Sequence, residues 1–241
     1  MADIINISAY KFVPLDGLDS LKQRLLESAT AFDLKGTVLL SPEGINVFIA
    51  GTAANVDAFL VTLRSIPGLD DLTAKRSASR DRPFGRLRVK IKREIIAFGV
   101  PEIDPARQPA PRIEPRTLKQ WLDEGRPVLL LDTRNTYEVE RGTFRGAVSA
   151  GIRHFRQFPA AARQLSPEWK EQPVVTFCTG GIRCEKAGPL LLREGFRHVY
   201  QLEGGILKYF EECGDAHFEG NCFVFDDREC VDPQLREAAG P

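Results

Sequence analysis

The chain has 241 residues, of which 43% are hydrophobic and 27% charged, with Lys+Arg and Asp+Glu each numbering 33 and a formal net charge of zero. This is ordinary globular composition, long enough for two domains of about 100 residues each, and it excludes a disordered chain, a collagen-like chain and a disulfide mini-protein. Cys178, Cys184, Cys213, Cys222 and Cys230 all fall in the last third with no CxxC among them, and the first twenty residues lack a secretory apolar region. Free thiols in a reducing compartment follow, and with no apolar run near the ~18 residues of a membrane span the expected location is the cytoplasm.

The N-terminal block, residues 1–100, reads as strand, helix, strand, strand, helix, strand. Ile4–Phe12 alternates and stops at Pro14. Leu18, Leu21, Leu25 and Leu26 recur at helical spacing, with Asp19 or Ser20 as the expected N-cap. Gly36–Ser41 and Ile45–Ala50 flank the turn signal Pro42-Glu43-Gly44 and predict a hairpin. Thr52 is placed to cap a helix whose apolar face is Val56, Phe59, Leu60 and Leu63. Residues 87–98 alternate and predict the last strand. The order βαββαβ predicts a ferredoxin-like α+β sandwich, a fold that leaves function open.

Residues 101–115 hold five prolines and are expected to be an interdomain linker. Beyond it, residues 116–216 alternate helix and strand, and 217–241 read as a C-terminal extension. Thr117–Leu122 predicts a short helix. Val128–Leu131, Val174–Phe177 and His198–Leu202 are apolar strands, with helices expected at Glu185–Glu194 and from Ile206. Apolar strands alternating with helices predict a buried parallel sheet, whose chemistry sits at the strands' carboxyl ends. Asp132 and Cys178 lie at two such ends.

Cys178 is followed by Thr179, Gly180, Gly181, Ile182, Arg183 and Cys184, a loop leading into a helix. Successive N–H groups in such a loop, with the helix dipole and Arg183, favour a thiolate at position 178. That sulfur can attack an electrophile or carry a persulfide. Cys184 reads as a small packing side chain or a resolving thiol. Asp132, Arg134 and Glu138 read as supports bracing the site wall. A cysteine phosphatase is disfavoured, because the arginine expected six positions after the cysteine is replaced by Cys184. His154, His198 and His217 are too scattered to suggest an iron site, and no zinc-ligand spacing joins the remaining cysteines. Trp121 and Trp169 read as packing residues.

From Lys75 to Arg93 nine basic residues accompany the single acid Asp81. Arg86, Arg88, Lys90 and Lys92 share one strand face, opposite Leu87, Val89 and Ile91. With Arg82 and Arg93 they make a candidate phosphate-backbone site, and the alternative is a solvated edge. The segment from Glu211 onward carries nine acids against Arg228 and Arg236.

Leu131-Asp132-Thr133-Arg134, Tyr137-Glu138, Gly142-Thr143-Phe144-Arg145-Gly146-Ala147, the Cys178 loop and Leu202-Glu203-Gly204-Gly205-Ile206 together resemble a rhodanese domain. Thr143-Phe144 departs from the His-Ile pair of many rhodaneses. Glu43-Gly44-Ile45-Asn46, Val89-Lys90-Ile91-Lys92-Arg93-Glu94-Ile95 and Cys222-Phe223-Val224-Phe225-Asp226-Asp227-Arg228 narrow the resemblance to the oxygen-dependent tRNA uridine hydroxylases, which form 5-hydroxyuridine at the wobble position. Many members continue into a cysteine-rich tail that is absent before Pro241, which predicts that the tail is dispensable. The resemblance implies Cys178 as the catalytic cysteine, molecular oxygen as co-substrate and tRNA as partner. No metal or flavin fingerprint is read, and no membrane or DNA partner is expected; the electron donor and oligomeric state stay open. The alternative function is sulfur transfer through a Cys178 persulfide.

Overall fold

The computed structural model describes residues 4–238, which divide into one unit ending at Ile95 and a second beginning at Ile96. In the first unit the elements are β1 (Ile4–Phe12), α1 (Leu18–Ala31), β2 (Lys35–Ser41), β3 (Gly44–Gly51), α2 (Ala53–Arg64), β4 (Lys75–Ser79) and β5 (Leu87–Ile91). They form one sheet in the order β4-β1-β3-β2-β5. The first four strands are antiparallel, and β5 adds in parallel to β2 at the edge. Leu21, Leu25 and Ala29 of α1 and Val56, Phe59, Leu60 and Leu63 of α2 share a buried core with Val38, Leu40, Val47 and Ile49 from the sheet. The ferredoxin-like α+β architecture follows from this burial of one helical layer on one sheet.

Three local expectations are corrected. Helix α1 is capped by Gly17 in the left-handed region (φ 60°), not by Asp19 or Ser20. Ser20 lies inside the first turn, so its hydroxyl donates back to the Gly17 carbonyl (2.8 Å). The strand expected across 87–98 ends at Ile91. Beyond it the chain is held by side chains: the Ile95 N–H donates to Glu43 Oε1 (2.8 Å). The fourth antiparallel strand is Lys75–Ser79, which sequence alternation does not reveal because it lacks β-branched and aromatic residues. Its charge suits an edge strand. Thr52 caps α2 as expected, accepting from the Asn55 N–H (3.3 Å).

The second unit contains β6 (Arg112–Ile113), α3 (Pro115–Asp123), β7 (Leu129–Asp132), α4 (Thr136–Val139), β8 (Gly142–Phe144), β9 (Val148–Ser149), α5 (Phe158–Ala162), β10 (Pro173–Phe177), α6 (Ile182–Arg193), β11 (His198–Leu202), α7 (Gly205–Cys213), β12 (Phe218–Gly220), β13 (Cys222–Phe223) and β14 (Cys230–Val231). Its central sheet, β6-β11-β10-β7-β9, is parallel throughout. Helices cover both faces, so β7 and β10 are buried almost end to end.

The proline-rich stretch is not a free spacer. Phe98, Ile103, Ala110 and Ile113 are buried in the second unit. The backbone carbonyl of Pro111 accepts from the Gln201 N–H (2.8 Å), and Arg112–Ile113 pairs with β11. Proline lacks a donor but keeps its acceptor, so such a run can lie along a sheet edge. The C-terminal extension is likewise part of this unit. β12 pairs antiparallel with β8, setting Phe218 opposite Phe144, and β13 pairs with β14. Phe144, at the position that departs from the rhodanese pattern, is enclosed edge-on by Phe177, Tyr209 and Phe218 at centroid distances of 4.7–5.2 Å. Residues 239–241 of the expected extension lie outside the described residues.

Candidate active site

Strand β10 ends at Phe177 and delivers Cys178 into the four-residue turn before α6. The helix begins at Ile182, three residues earlier than expected, because Gly181 adopts φ 100° and turns the chain into it. The Gly181 N–H points at the sulfur, 3.1 Å from Cys178 Sγ. A second helix end meets the same loop. The N–H groups of Ile206 and Leu207 at the start of α7 donate to the carbonyls of Cys178 (3.0 Å) and Thr179 (3.1 Å). Gly205 permits this approach: it has φ +65°, and a Cβ there would lie 2.4 Å from the Cys178 carbonyl oxygen.

Cys178 is 1% exposed. Burial pushes its thiol up, but the Cys184 thiol, the Arg183 guanidinium and the N–H groups of Arg183 and Gly181 outweigh it and hold the pKa at about 6. Cys184 is pushed well above its ordinary value by burial and by the neighbouring Cys178. The two thiols are thus pushed in opposite directions, Cys178 down and Cys184 up. Cys184 also sits 3.8 Å from Thr133 Oγ1, so its thiol does more than fill space. Burial raises Cys222 to about 12, and it raises Cys213 and Cys230 as well. Cys178 is thus the one cysteine of the five set up as a thiolate near neutral pH.

Behind the loop lie two buried ion pairs. Arg183 donates from Nη2 to Glu138 Oε1 (2.9 Å), and Glu138 Oε2 accepts from the Asn135 N–H (3.2 Å). Burial disfavours the Arg183 charge, but Glu138 and Cys178 more than offset it. Arg134 and Asp132 are both completely buried and joined by a bidentate pair, with Arg134 Nη2 also reaching the Gly142 carbonyl (2.6 Å). Thr143 Oγ1 donates to Asp132 Oδ2 (2.8 Å). The structure therefore gathers Cys178, Thr179, Gly180, Gly181, Ile182, Arg183 and Cys184 at one strand end; Glu138 joins the loop through Arg183, while Asp132 and Arg134 pair with each other at the end of the neighbouring strand β7.

The extension adds residues that the sequence analysis did not assign to the site. Thr179 Oγ1 donates to the Phe223 carbonyl (3.2 Å), and Arg183 lies over the Phe225 ring, 5.4 Å from its centroid. Phe223 in turn meets Tyr137 edge-on. The Cys222–Arg228 motif was visible as a resemblance, but its contact with the cysteine loop depends on a chain reversal that no local pattern encodes. Gly205 stands within the Leu202–Ile206 motif, and its positive φ is what requires a glycine there.

The basic residues of the first unit are distributed along its edge. Arg86, Lys90, Lys92 and Arg93 are exposed and Arg88 is half-buried, while Leu87, Val89 and Ile91 pack against the core as the alternation predicts. Arg82 is engaged by Asp33 (2.6 Å), which diminishes its availability to another anion. Among the described residues, no three His, Cys, Asp or Glu side chains are grouped as metal ligands, and no helix is long and apolar enough to cross a membrane.

Residues 4–95 match the UPF0176 acylphosphatase like domain, and residues 114–212 match the rhodanese-like domain. Among solved structures, a rhodanese-like domain from Anabaena aligns with 46% of this chain and 79% of its own, at 26% identity and a TM-score of 0.38. A tRNA uridine(34) hydroxylase of Bordetella petrii is 54% identical, with the match covering 99% of this chain and 96% of that protein. One of the same name from Thiobacillus denitrificans is 50% identical over 98% of each. With both domains matched in order and half of all positions shared along essentially the whole length, the chain belongs to the tRNA uridine(34) hydroxylase family.

Proposed function

We propose that this protein hydroxylates the wobble uridine of tRNA to 5-hydroxyuridine, with Cys178 as the catalytic cysteine. The observation that carries the reading is the Cys178 thiolate, met by the Gly181 N–H in a loop whose backbone the start of α7 holds, in a chain whose near relatives bear that reaction's name. A thiol of pKa about 6 is roughly nine-tenths ionised at pH 7, so the reactive thiolate form is already present. Molecular oxygen is the co-substrate in this reading. One oxygen atom enters the C5–H bond and the other leaves as water, using two electrons and two protons from a donor outside the chain.

The protein's own contribution is binding and placement. Arg86, Arg88, Lys90, Lys92 and Arg93, with Arg82 in a lesser role, contact RNA phosphates and set the register without reading sequence. The sulfur's burial requires the target base to leave the stack to reach it. The site of action is the cytoplasm, where tRNA is used. The same thiolate also suits a second reading, sulfur transfer through a Cys178 persulfide, because a nucleophilic sulfur in a rhodanese-like loop serves both chemistries. Nucleoside mass spectrometry of tRNA from a host lacking its own enzyme separates them. Wild type is expected to restore 5-hydroxyuridine and Cys178→Ser to leave it absent; thiosulfate turnover without restored 5-hydroxyuridine selects sulfur transfer.

A further inference from the structure

Four large hydrophobic side chains stand exposed among the described residues, and two of them, Tyr137 and Phe225, lie in one cluster beside the cysteine loop. Tyr137 is 41% and Phe225 46% exposed. Phe223 joins them, edge-on to Tyr137 at 5.3 Å and to Phe225 at 5.2 Å. The cluster is tied to the loop at two points, Thr179 Oγ1 on the Phe223 carbonyl and Arg183 against the Phe225 ring.

The segment presenting these rings is well fixed. β13 and β14 pair through Cys222 and Val231, and Val224 between the two phenylalanines is buried. Asp226 and Arg228 close the turn with a buried pair at 2.6 Å, and the Val224 N–H donates to the Glu229 carbonyl (2.8 Å). An aromatic side chain held exposed on an ordered turn costs apolar hydration unless a ligand covers it. The turn's remaining charges, Asp227 and Glu229, are exposed acids that repel a phosphate. A neutral planar group suits this surface better than the RNA backbone.

We infer that Phe225, buttressed edge-on by Phe223 with Tyr137 on the far side of that ring, is the stacking platform for the unstacked target uracil, positioning it over the Cys178 loop. The inference rests on the proposed tRNA reading and deepens it, since it names how the base, as distinct from the phosphates, is held. Every base offers a π face to a ring, and one aromatic stack contributes on the order of tenfold in affinity. Arg183 behind the Phe225 ring adds a cationic contact that keeps the ring in place.

The test measures binding of the full chain to an anticodon stem-loop carrying uridine at position 34 and to the same loop abasic at that position. Wild type is expected to prefer the uridine loop by about tenfold or more. Phe225→Ala is expected to lose most of that preference while binding the abasic loop as wild type does, and Phe225→Tyr is expected to restore it. A purely structural role would weaken both loops alike, and an unchanged preference in Phe225→Ala overturns the platform. Cellular 5-hydroxyuridine separates the two claims: if wild type restores it while Phe225→Ala keeps the preference, only the platform fails. If wild type neither restores it nor distinguishes the loops, the tRNA reading fails and takes the platform with it.

Discussion

Cys178 owes its character to neighbours that oppose its own burial. The largest influence, desolvation, favours the neutral thiol, yet the Cys184 thiol, Arg183 and two backbone N–H groups reverse it. The ionised sulfur is expected to titrate with a midpoint near 6 in the difference in thiolate ultraviolet absorbance between wild type and Cys178→Ser. In Arg183→Ala that midpoint moves upward, because the cation is lost while the burial remains. The linkage has a definite sign. The folded pKa lies below the ordinary value of 9.0, so ionisation stabilises the folded state above that value. This contribution is lost as pH falls through about 6, and denaturant midpoints compared with Cys178→Ser across that window measure it. The cysteine loop was legible in the sequence because strand end, glycines and arginine are adjacent along the chain. The influence of Cys184 was not, because it depends on which side of α6 faces the sulfur.

At the scale of elements, the site is the meeting of β10 with the starts of α6 and α7. Gly205 is the point where α7 comes closest. Gly205→Ala places a methyl against the Cys178 carbonyl in a backbone region unfavourable to side chains, and is expected to cost about 1–3 kcal/mol, read as a fall in thermal midpoint. The same change is expected to depress formation of 5-hydroxyuridine, since the loop itself must shift. Strand β5 carries the other prediction. Arg86→Glu, Lys90→Glu and Lys92→Glu together are expected to weaken tRNA binding and flatten its dependence on salt by roughly two units of log–log slope. The thermal midpoint should hold, because all three side chains are exposed. Unchanged binding would instead make that edge an ordinary solvated face. The alternation of Leu87, Val89 and Ile91 made β5 readable, whereas β4 was hidden by its polar composition. Gly17 displaced the expected cap of α1 because a left-handed glycine starts the helix before Asp19 and Ser20.

The whole molecule consists of two bodies, each with its own buried core. The α+β and parallel α/β classes were readable from periodicity, since strand and helix spacings differ. The extent of the second body was not. Its prolines suggested a spacer, and its last residues suggested an appendage, but Phe98 and Ile103 at one end and Phe218 and Val231 at the other are core residues of that body. Burial of this kind is set by partners distant in sequence, and it brings the Phe223–Phe225 turn to the cysteine loop. The proposed roles differ in chemistry: cationic residues of the first unit for phosphates, and in the second unit aromatic rings for the base and a thiolate for the reaction. The most direct test is mass spectrometry of tRNA nucleosides from a host lacking its own uridine hydroxylase, complemented with wild type or Cys178→Ser. 5-Hydroxyuridine is expected with wild type and none above background with Cys178→Ser; equal 5-hydroxyuridine from both would remove Cys178 from the reaction.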